Sequence, residues 1–326
     1  MELSKEKLQI MQMSDEEVRR LLALAKEKKQ LSPPPRPANR KSADLDGALQ
    51  GIIGLDEPKR ALRRIIAYHR LQEEAKARGI VLNDKTCHMC FVGNPGTAKT
   101  TFARACAKAF QIEGMLAGDA FIEVGRADLI ASYSGQTAPK VKKAIKSAAG
   151  GVLFIDEAYS LLEDAEGGYG DEAIATLVQE MENRRDVIVI FAGYPDKMEA
   201  FLSRNPGLKS RVPFTVHFPD YSCEELVEIA GCIARKGGFR LDPGSEAVIR
   251  DIVRQEMGRP DFGNARYVRN LIEAAQMNRA CSLAYKADLR RLPDSELFVL
   301  RAEDFEKPQN IGDGGMKGRT IGFSAT

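Results

Sequence analysis

The residues best suited to chemistry begin with the glycine-rich segment 93–101, GNPGTAKTT. It follows an apolar run and precedes a helical pattern, which is the setting of a phosphate-binding loop. Small residues let backbone N–H groups surround phosphate oxygens, and the start of a helix adds partial positive charge. We expect Lys99 to contact the phosphates and the Thr100 hydroxyl to bind Mg²⁺. Ala98 replaces the glycine usual before the lysine. Because alanine suits the first turn of a helix, we expect the loop to close normally.

A second pair of residues, Asp156 and Glu157, follows the apolar run 152–155. Ligands bind at the carboxyl ends of the strands in parallel α/β sheets, so both carboxylates would face a bound ligand. Asp156 would hold Mg²⁺ directly or through water, and Glu157 would act as the general base on the attacking water. Adjacent acids could also form an ordinary exposed turn, but their place after a phosphate loop favours the catalytic interpretation.

The composition limits the classes of protein to consider. The chain has 326 residues and a formal net charge of +2, so no strong charge attracts it to nucleic acid or to a membrane surface. With 44% hydrophobic and 29% charged residues, it can form a sizeable core. No apolar run reaches the roughly 18–20 residues of a transmembrane helix, and no signal peptide is evident. We expect a soluble cytoplasmic protein with no membrane partner.

Two cysteines, Cys87 and Cys90, have the spacing of a metal-binding or redox pair. Zinc requires four ligands, and no second pair lies near them in the sequence. The segment continues into an apolar run typical of a strand. We therefore interpret these cysteines as buried core thiols.

The elements that must position these residues form an α/β pattern. Short apolar runs alternate with helical stretches, which predicts a five-stranded parallel sheet between helices, of the phosphate-loop NTPase type. The predicted strands are 88–92, 120–124, 152–155, 187–192 and 214–218. The following segments, 224–236, 245–256, 265–287 and a short one near 302–306, predict a small all-helical lid without strands.

These patterns predict five regions along the chain. The first two are an amphipathic helix over 1–31 and a proline-rich linker over 32–44. The α/β nucleotide-binding domain is expected over 45–220 and the lid over 221–308. The last region, 309–326, is expected to be a disordered tail.

At this point the motifs resemble the AAA+ ATPases. The strings GNPGTAKT, FIDEA, FAGY, NPGLKSR and FGNAR occur in the order of that family, and the resemblance covers residues 45–308. More narrowly, YSGQTAPK, AGYPDKM and FPDY are similar to the branch that holds stage V sporulation protein K and red-type rubisco activase. ATPases of type VII secretion systems share these strings. The resemblance implies ATP and Mg²⁺ as ligands and ATP hydrolysis as the reaction.

The resemblance also implies roles for single residues in the nucleotide site. Ile53 and Gly54 would line the adenine pocket, and Tyr194 stands at the catalytic position called sensor 1, where Asn, Thr or Ser is usual. Arg266 would be sensor 2, on the lid over the γ-phosphate. The other cofactor-binding residues would be Asn94, Pro95, Gly96, Thr97, Ala98, Lys99, Thr100, Thr101 and Asp156, of which Thr100 and Asp156 would bind Mg²⁺.

Other implied roles depend on a ring of subunits. Arg211 matches the arginine finger, a catalytic residue that reaches the neighbouring subunit's site, with Arg204 as the reserve candidate. A site completed by a neighbour implies a homo-oligomer, most simply a hexamer. Tyr133, Ser134 and Gly135 correspond to a pore loop that grips a protein client. A second pore-facing candidate is the glycine-rich segment 166–170.

Three functions are consistent with the motifs. The first is a motor that remodels a protein client, of the sporulation-protein or rubisco-activase kind. The second is an ATP-dependent switch or loader on a DNA-associated complex, against which the near-neutral charge and the Tyr133 loop argue. The third is a small-molecule kinase, against which the Asp156–Glu157 pair and the two arginines argue.

Overall fold

The structure is a computed structural model that describes residues 45 to 305, except 46, 81–85, 134, 164–167, 260–261 and 287–288. The predicted N-terminal helix, proline-rich linker and C-terminal tail lie outside the described residues. Ser134 and the first two residues of the glycine-rich candidate at 166–170 also lie outside them, whereas residues 168–170 are described.

A five-stranded parallel sheet forms the centre of the α/β part, in the strand order β2-β3-β4-β1-β5. This arrangement confirms the predicted fold class, and each strand lies within one residue of its predicted bounds. The strands are β1 (Met89–Gly93), β2 (Phe121–Val124), β3 (Val152–Ile155), β4 (Ile188–Gly193) and β5 (Phe214–Phe218).

Helices cover the sheet and build the lid. None among the described residues is long and apolar enough to cross a membrane. In the α/β part the helices are α1 (Asp56–Ala77), α2 (Lys99–Ile112), α3 (Arg126–Leu129), α4 (Thr137–Ser147), α5 (Tyr169–Asn183), α6 (Pro195–Arg204) and α7 (Pro206–Arg211), with a 3₁₀ helix at Ala158–Leu162. The lid contains α8 (Cys223–Lys236), α9 (Pro243–Glu256), α10 (Ala265–Lys286) and α11 (Asp294–Leu297), with 3₁₀ turns at Leu289–Arg291 and Ala302–Asp304.

Side chains alternate between the two faces of the sheet. In β1, Met89 and Phe91 belong to one hydrophobic cluster, whereas Cys90 and Val92 belong to the other. All of them are buried, because helices cover both faces, as is usual for a parallel sheet. Cys90 is therefore a core residue, and burial raises its pKa to about 12.

An aromatic cluster fixes α2, the helix that follows the phosphate loop. Phe102 of α2 packs on Phe91 of β1 and on Phe218 of β5, with ring centroids 6.0 and 5.5 Å apart respectively. All three rings are buried. Burial of one phenylalanine side chain contributes about 1.5–3 kcal/mol, so the cluster anchors this helix to the two strands at its side.

The lid differs from the prediction in one respect. Two short strands, β6 (Arg240–Leu241) and β7 (Val299–Leu300), pair in parallel, so the prediction of a lid without strands was wrong. Each strand has two residues, which is too short to show an alternating pattern in the sequence. The pairing ties the segment between α8 and α9 to the end of the lid.

Candidate active site

The predicted functional residues gather where three neighbouring strands end. β3, β4 and β1 lie side by side, and the segments after their carboxyl ends surround a cavity of about 280 Å³. The lid contributes the remaining wall. The lining residues are Pro95, Gly96, Thr97, Ala98, Lys99, Thr100, Thr101, Asp156, Glu157, Gly193, Tyr194, Ala265, Arg266 and Arg269.

The phosphate loop is held in shape by its own side chains. The Lys99 ammonium donates to the carbonyl oxygens of Gly93 and Asn94, both at 2.8 Å. The buried Thr97 hydroxyl also donates to Asn94 O at 2.8 Å. The loop therefore curls around its lysine, which lies at the start of α2, where the helix favours negative charge.

Ala98 corrects one detail of the sequence analysis. It is not in the first turn of α2 but precedes it, with a φ of 61° and a ψ of 28°. This is left-handed backbone, which costs a residue with a Cβ roughly 1–2 kcal/mol. The loop closes as expected, but it does so through a conformation that glycine would adopt with less strain.

The surroundings of Lys99 change its pKa. Burial lowers the pKa of Lys99 below its ordinary value, and the carboxylate of Asp156 opposes that shift. Arg266 adds to the lowering. An anionic phosphate placed in the cavity would oppose both effects, because a negative charge close to the ammonium group favours its charged form.

The two adjacent carboxylates follow β3 as predicted. Glu157 has a φ of 46°, and its N–H donates to Asp156 Oδ1 at 3.0 Å. Left-handed backbone in a residue other than glycine is strained and is often found at functional sites. The turn directs the chain away from the strand immediately after Asp156, and both residues line the cavity.

Tyr159, which the sequence analysis missed, lies beside Glu157 and forms an aromatic pair with the predicted residue Tyr194. The rings of Tyr159 and Tyr194 have centroids 5.7 Å apart, and Lys197 Nζ lies 4.6 Å from the Tyr159 centroid. Burial raises the pKa of Tyr159, and the negative charge of Glu157 adds to this. Tyr159 is therefore a neutral phenol that can donate a hydrogen bond. Its only signal in the sequence is its place two residues after the predicted base.

The lid approaches the phosphate loop closely. Ala265 N donates to Gly96 O at 3.2 Å. A Cβ on Gly96, whose φ is +70°, would lie 2.1 Å from Gly263 O, so only glycine fits there. Arg266, in the first turn of α10, lines the cavity as predicted. Arg269, three residues later on the same face, also lines it and was missed, although its spacing from Arg266 is a helical signal.

Two predicted adenine-pocket residues lie outside this cavity. Ile53 and Gly54 precede α1, and Gly54 packs against lid helix α8, where an added Cβ would lie 1.9 Å from Glu225 Oε1. Leu55 has left-handed backbone with a φ of 56°. The segment therefore lies against the lid, next to the start of α1.

The two arginine-finger candidates also lie away from the cavity lining. Arg211 ends α7, where its guanidinium pairs with Glu182 at 2.5 Å and donates to Gly207 O at 3.1 Å. Arg204, at the end of α6, pairs with Asp171 at 3.1 Å. Each arginine is thus held by an acidic residue of α5.

The predicted pore residues lie on the connection between α3 and α4. The Tyr133 side chain is 77% exposed, which is unusual for a large aromatic side chain. Gly135 has a φ of +76°, and Ser134 lies outside the described residues. Tyr133 therefore projects from the α/β part without packing into it.

A larger cavity, of about 550 Å³, lies at the opposite edge of the sheet. Its lining includes Thr86, Cys87 and His88, which precede β1, and Val187, which precedes β4. None of the predicted site residues lines it. The larger cavity therefore does not coincide with the predicted site.

Family models match both parts of the chain. The model described as "ATPase family associated with various cellular activities (AAA)" matches residues 89–218. The model described as "AAA lid domain" matches residues 222–313. The second match begins at Ser222, whose side chain accepts from Glu225 N at 3.2 Å to cap α8.

Curated relatives are similar over most of the chain. The chloroplastic ribulose bisphosphate carboxylase/oxygenase activase of Cyanidioschyzon merolae is 41% identical over 81% of this chain and 90% of the relative. The plasmid-encoded protein CbxX of Cupriavidus necator is 44% identical over 71% of this chain and 74% of the relative. Protein CbbX of Cereibacter sphaeroides is 40% identical over 81% of this chain and 86% of the relative.

A solved structure agrees with the fold. The AAA domain of FIGL-1 in complex with ADP aligns with a TM-score of 0.56 and 17% identity, over 79% of this chain and 81% of that one. At that identity the likeness concerns the fold alone. The family models and the curated relatives show that this chain is an ATP hydrolase of the AAA+ family, in the branch that holds the red-type rubisco activase and CbbX proteins.

Proposed function

We propose that this protein is a ring-forming AAA+ motor that couples ATP hydrolysis to the remodelling of a protein client. One observation carries the proposal. Lys99, Asp156, Glu157 and Arg266 come from three separate segments and line one cavity, whereas the finger candidate Arg211 lies elsewhere. The geometry supports a site in which one subunit binds the nucleotide and a neighbour completes it.

Within one subunit, the cavity residues have distinct proposed roles. Backbone N–H groups of the phosphate loop, other than at Pro95, and the Lys99 ammonium bind the β- and γ-phosphates. Glu157, which lines the cavity directly after Asp156, accepts a proton from the attacking water. Arg266 contacts the γ-phosphate from the lid, and Tyr194 donates a hydrogen bond at the sensor 1 position. Ile53 and Gly54 lie against the adenine.

A magnesium ion fits the oxygen donors of this site. The Thr100 hydroxyl and the Asp156 carboxylate both line the cavity, and Mg²⁺ prefers one or two such oxygen ligands together with phosphates and water. When bound, the ion neutralises charge on the phosphates. The chain's own contribution is to hold these two donors beside Lys99.

Arg211 would act on the neighbouring subunit. Its pair with Glu182 fixes its position at the end of α7 without directing it into its own cavity. A guanidinium supplied by a neighbour stabilises the transferring phosphoryl group and contributes roughly 10³–10⁵ in rate in other NTPases. A repeated contact of this kind closes into a ring, for which we propose a hexamer.

The client would be a protein segment gripped at the pore. Tyr133 is exposed on the loop that the family places there, and an aromatic ring can grip a polypeptide without sequence specificity. One relative is named a rubisco activase, so rubisco is the first client to test and a sporulation-linked assembly is the second. Both are proteins, which separates this function from a DNA loader.

Mixing two inactive variants tests the shared site. Lys99→Ala lacks the phosphate contact, and Arg211→Ala lacks the finger. In a mixed ring, some sites would combine an intact loop from one subunit with an intact finger from the next. We expect ATP hydrolysis to recover partly on mixing, whereas neither variant alone should be active. Absence of recovery, in rings shown to contain both variants, would contradict a finger acting in trans.

A further inference from the structure

Three polar side chains join the phosphate loop to the lid. Asn94 lies in the loop, Asp220 lies between β5 and α8, and Asn264 immediately precedes α10. Asn94 Nδ2 donates to both carboxylate oxygens of Asp220 at 3.0 Å. Asn264 Nδ2 donates to Asp220 Oδ1 at 2.8 Å and to Pro95 O at 3.3 Å. The amide group of Asn264 therefore binds both Asp220, in the segment between β5 and α8, and the phosphate loop.

Asn264 is built into this position. It is 0% exposed, and its Oδ1 accepts from Tyr221 N at 3.1 Å, so both donors and the acceptor of its amide are used. Its φ of 48° is left-handed, a conformation that asparagine tolerates better than most residues. Buried amides that lose their partners are costly, which makes this arrangement specific to asparagine.

The carbonyl groups of the phosphate loop are divided between its lysine and the lid. Gly93 O and Asn94 O accept from Lys99. The next two, Pro95 O and Gly96 O, accept from Asn264 Nδ2 and Ala265 N. Four consecutive carbonyl oxygens thus have donors, and the last two tie the start of α10 to the loop that holds the phosphates.

We propose that Asn264 is a positioning residue that sets where Arg266 meets the γ-phosphate. The proposal rests on the role of Arg266 given under "Proposed function". Arg266 is two residues from Asn264 in the same turn, so the bonds of Asn264 fix the origin of its side chain. A misplacement of about 1 Å at a reacting group can cost about 10²-fold in rate. Asp220 accepts from Asn264 and is itself held by Asn94 of the phosphate loop.

Two substitutions remove the bonds of Asn264 in different ways. Asn264→Asp keeps the size of the side chain and its acceptor for Tyr221 N, but it loses both donors and places a second carboxylate beside Asp220. Asn264→Gly removes the side chain and tolerates the left-handed backbone, so it serves if the aspartate variant does not fold. The matched control is Asn278→Asp, on the same helix, where Asn278 Nδ2 donates to Asp304 O at 3.0 Å within the lid.

The measurements are kcat and KM for ATP, and the affinities for ADP and for a non-hydrolysable ATP analogue, each with Mg²⁺. We expect kcat/KM to fall by about 10–100-fold in both Asn264 variants. Affinity for the ATP analogue should fall, but affinity for ADP should stay within about 3-fold, because ADP lacks the phosphate that Arg266 contacts. The double variant of Asn264→Gly and Arg266→Ala should have the same kcat/KM as the less active of the two single variants. The effects of residues that act together are not additive.

Two results would overturn the proposal. One is an equal loss of ADP and ATP-analogue affinity in the Asn264 variants and in Asn278→Asp, which would indicate general loosening of the lid. The other is additive effects of Asn264→Gly and Arg266→Ala. If Arg266→Ala alone leaves hydrolysis unchanged, the proposed role of Arg266 is wrong, and the inference about Asn264 is wrong with it. If Arg266→Ala impairs hydrolysis and the Asn264 variants do not, only the inference about Asn264 fails.

Discussion

The ammonium group of Lys99 lies 2.8 Å from the carbonyl oxygen of Gly93, at the end of the strand that leads into the phosphate loop. The lysine thus stabilises its own loop. A triphosphate would compete with these carbonyl oxygens for the ammonium group, and its full negative charge makes it the stronger acceptor.

Replacement of Lys99 by alanine should abolish ATP turnover. The variant loses both the charge that binds the phosphates and the bonds that close the loop, and loss of one preorganised donor at a reacting centre costs about 10²–10³-fold. Phosphate release and binding of a fluorescent ATP analogue would measure the effect. Lys142→Ala, at an exposed position of α4, is the control and should keep wild-type turnover. Normal hydrolysis by Lys99→Ala would contradict the assignment of the loop.

Replacement of Glu157 by glutamine should separate binding from hydrolysis. The amide keeps the size of the side chain but cannot accept the proton of the attacking water, and loss of a general base typically costs about 10²–10⁴-fold. ATP should still bind and hold the ring together, which size-exclusion chromatography with ATP and Mg²⁺ would show. Glu163→Gln, six residues later at an exposed position, should remain active. If Glu157→Gln hydrolyses ATP at the normal rate, Glu157 is not the general base.

The sequence was sufficient for the framework of the site. The strands β1, β3 and β4 are continuous apolar runs, and each ends at a predicted functional residue or segment, so the topology of a parallel sheet alone brings these ends together. Lys99, Asp156 and Tyr194 consequently line one cavity. The position of Arg266 could not be predicted from the strand pattern, because it depends on how the lid packs on the α/β part. Only the resemblance to the family predicted it.

What the sequence could not supply depends on contacts between distant segments. Asn264 is buried through partners at positions 95, 220 and 221, and no local pattern marks such a residue. The strands β6 and β7 lie more than fifty positions apart and have two residues each. The left-handed backbone of Ala98 was missed because helix propensity was applied to a residue that lies outside the helix.

Replacement of Ala98 by glycine should stabilise the protein slightly. The substitution removes the left-handed strain of roughly 1–2 kcal/mol, while the greater freedom of glycine in the unfolded chain costs about 0.5–1 kcal/mol. We expect a gain in the free energy of unfolding of between about 0 and 1.5 kcal/mol, with ATP turnover retained. Thermal or urea unfolding would measure it.

The matched control for this change is Ala103→Gly. Ala103 is fully buried in α2, where glycine costs about 1 kcal/mol and leaves a small void, so this variant should be less stable than wild type. A loss of stability for Ala98→Gly equal to that of Ala103→Gly would show that residue 98 is not strained by its Cβ.

The stability of the protein should depend on pH through His88. This residue is 3% exposed, and its Nδ1 accepts from Val189 N at 3.0 Å, which joins the start of β1 to β4. Burial lowers the pKa of His88 from its ordinary 6.5 to about 4, and the positive charge of Arg185 acts in the same direction. The folded protein therefore keeps this imidazole neutral under conditions in which the unfolded chain protonates it.

The stabilisation from a neutral His88 is complete above pH 6.5 and is lost as the pH falls towards 4. Between these pH values the free energy of unfolding changes by up to about 1.4 kcal/mol per pH unit, for a total loss of about 3 kcal/mol. His88→Asn keeps an acceptor for Val189 N but does not titrate, so its free energy of unfolding should fall less than that of wild type over this interval. Urea unfolding at several pH values would compare them, with His217→Asn, at an exposed position of β5, as the control. Parallel curves for wild type and His88→Asn would mean that a charged imidazole is accommodated in the fold.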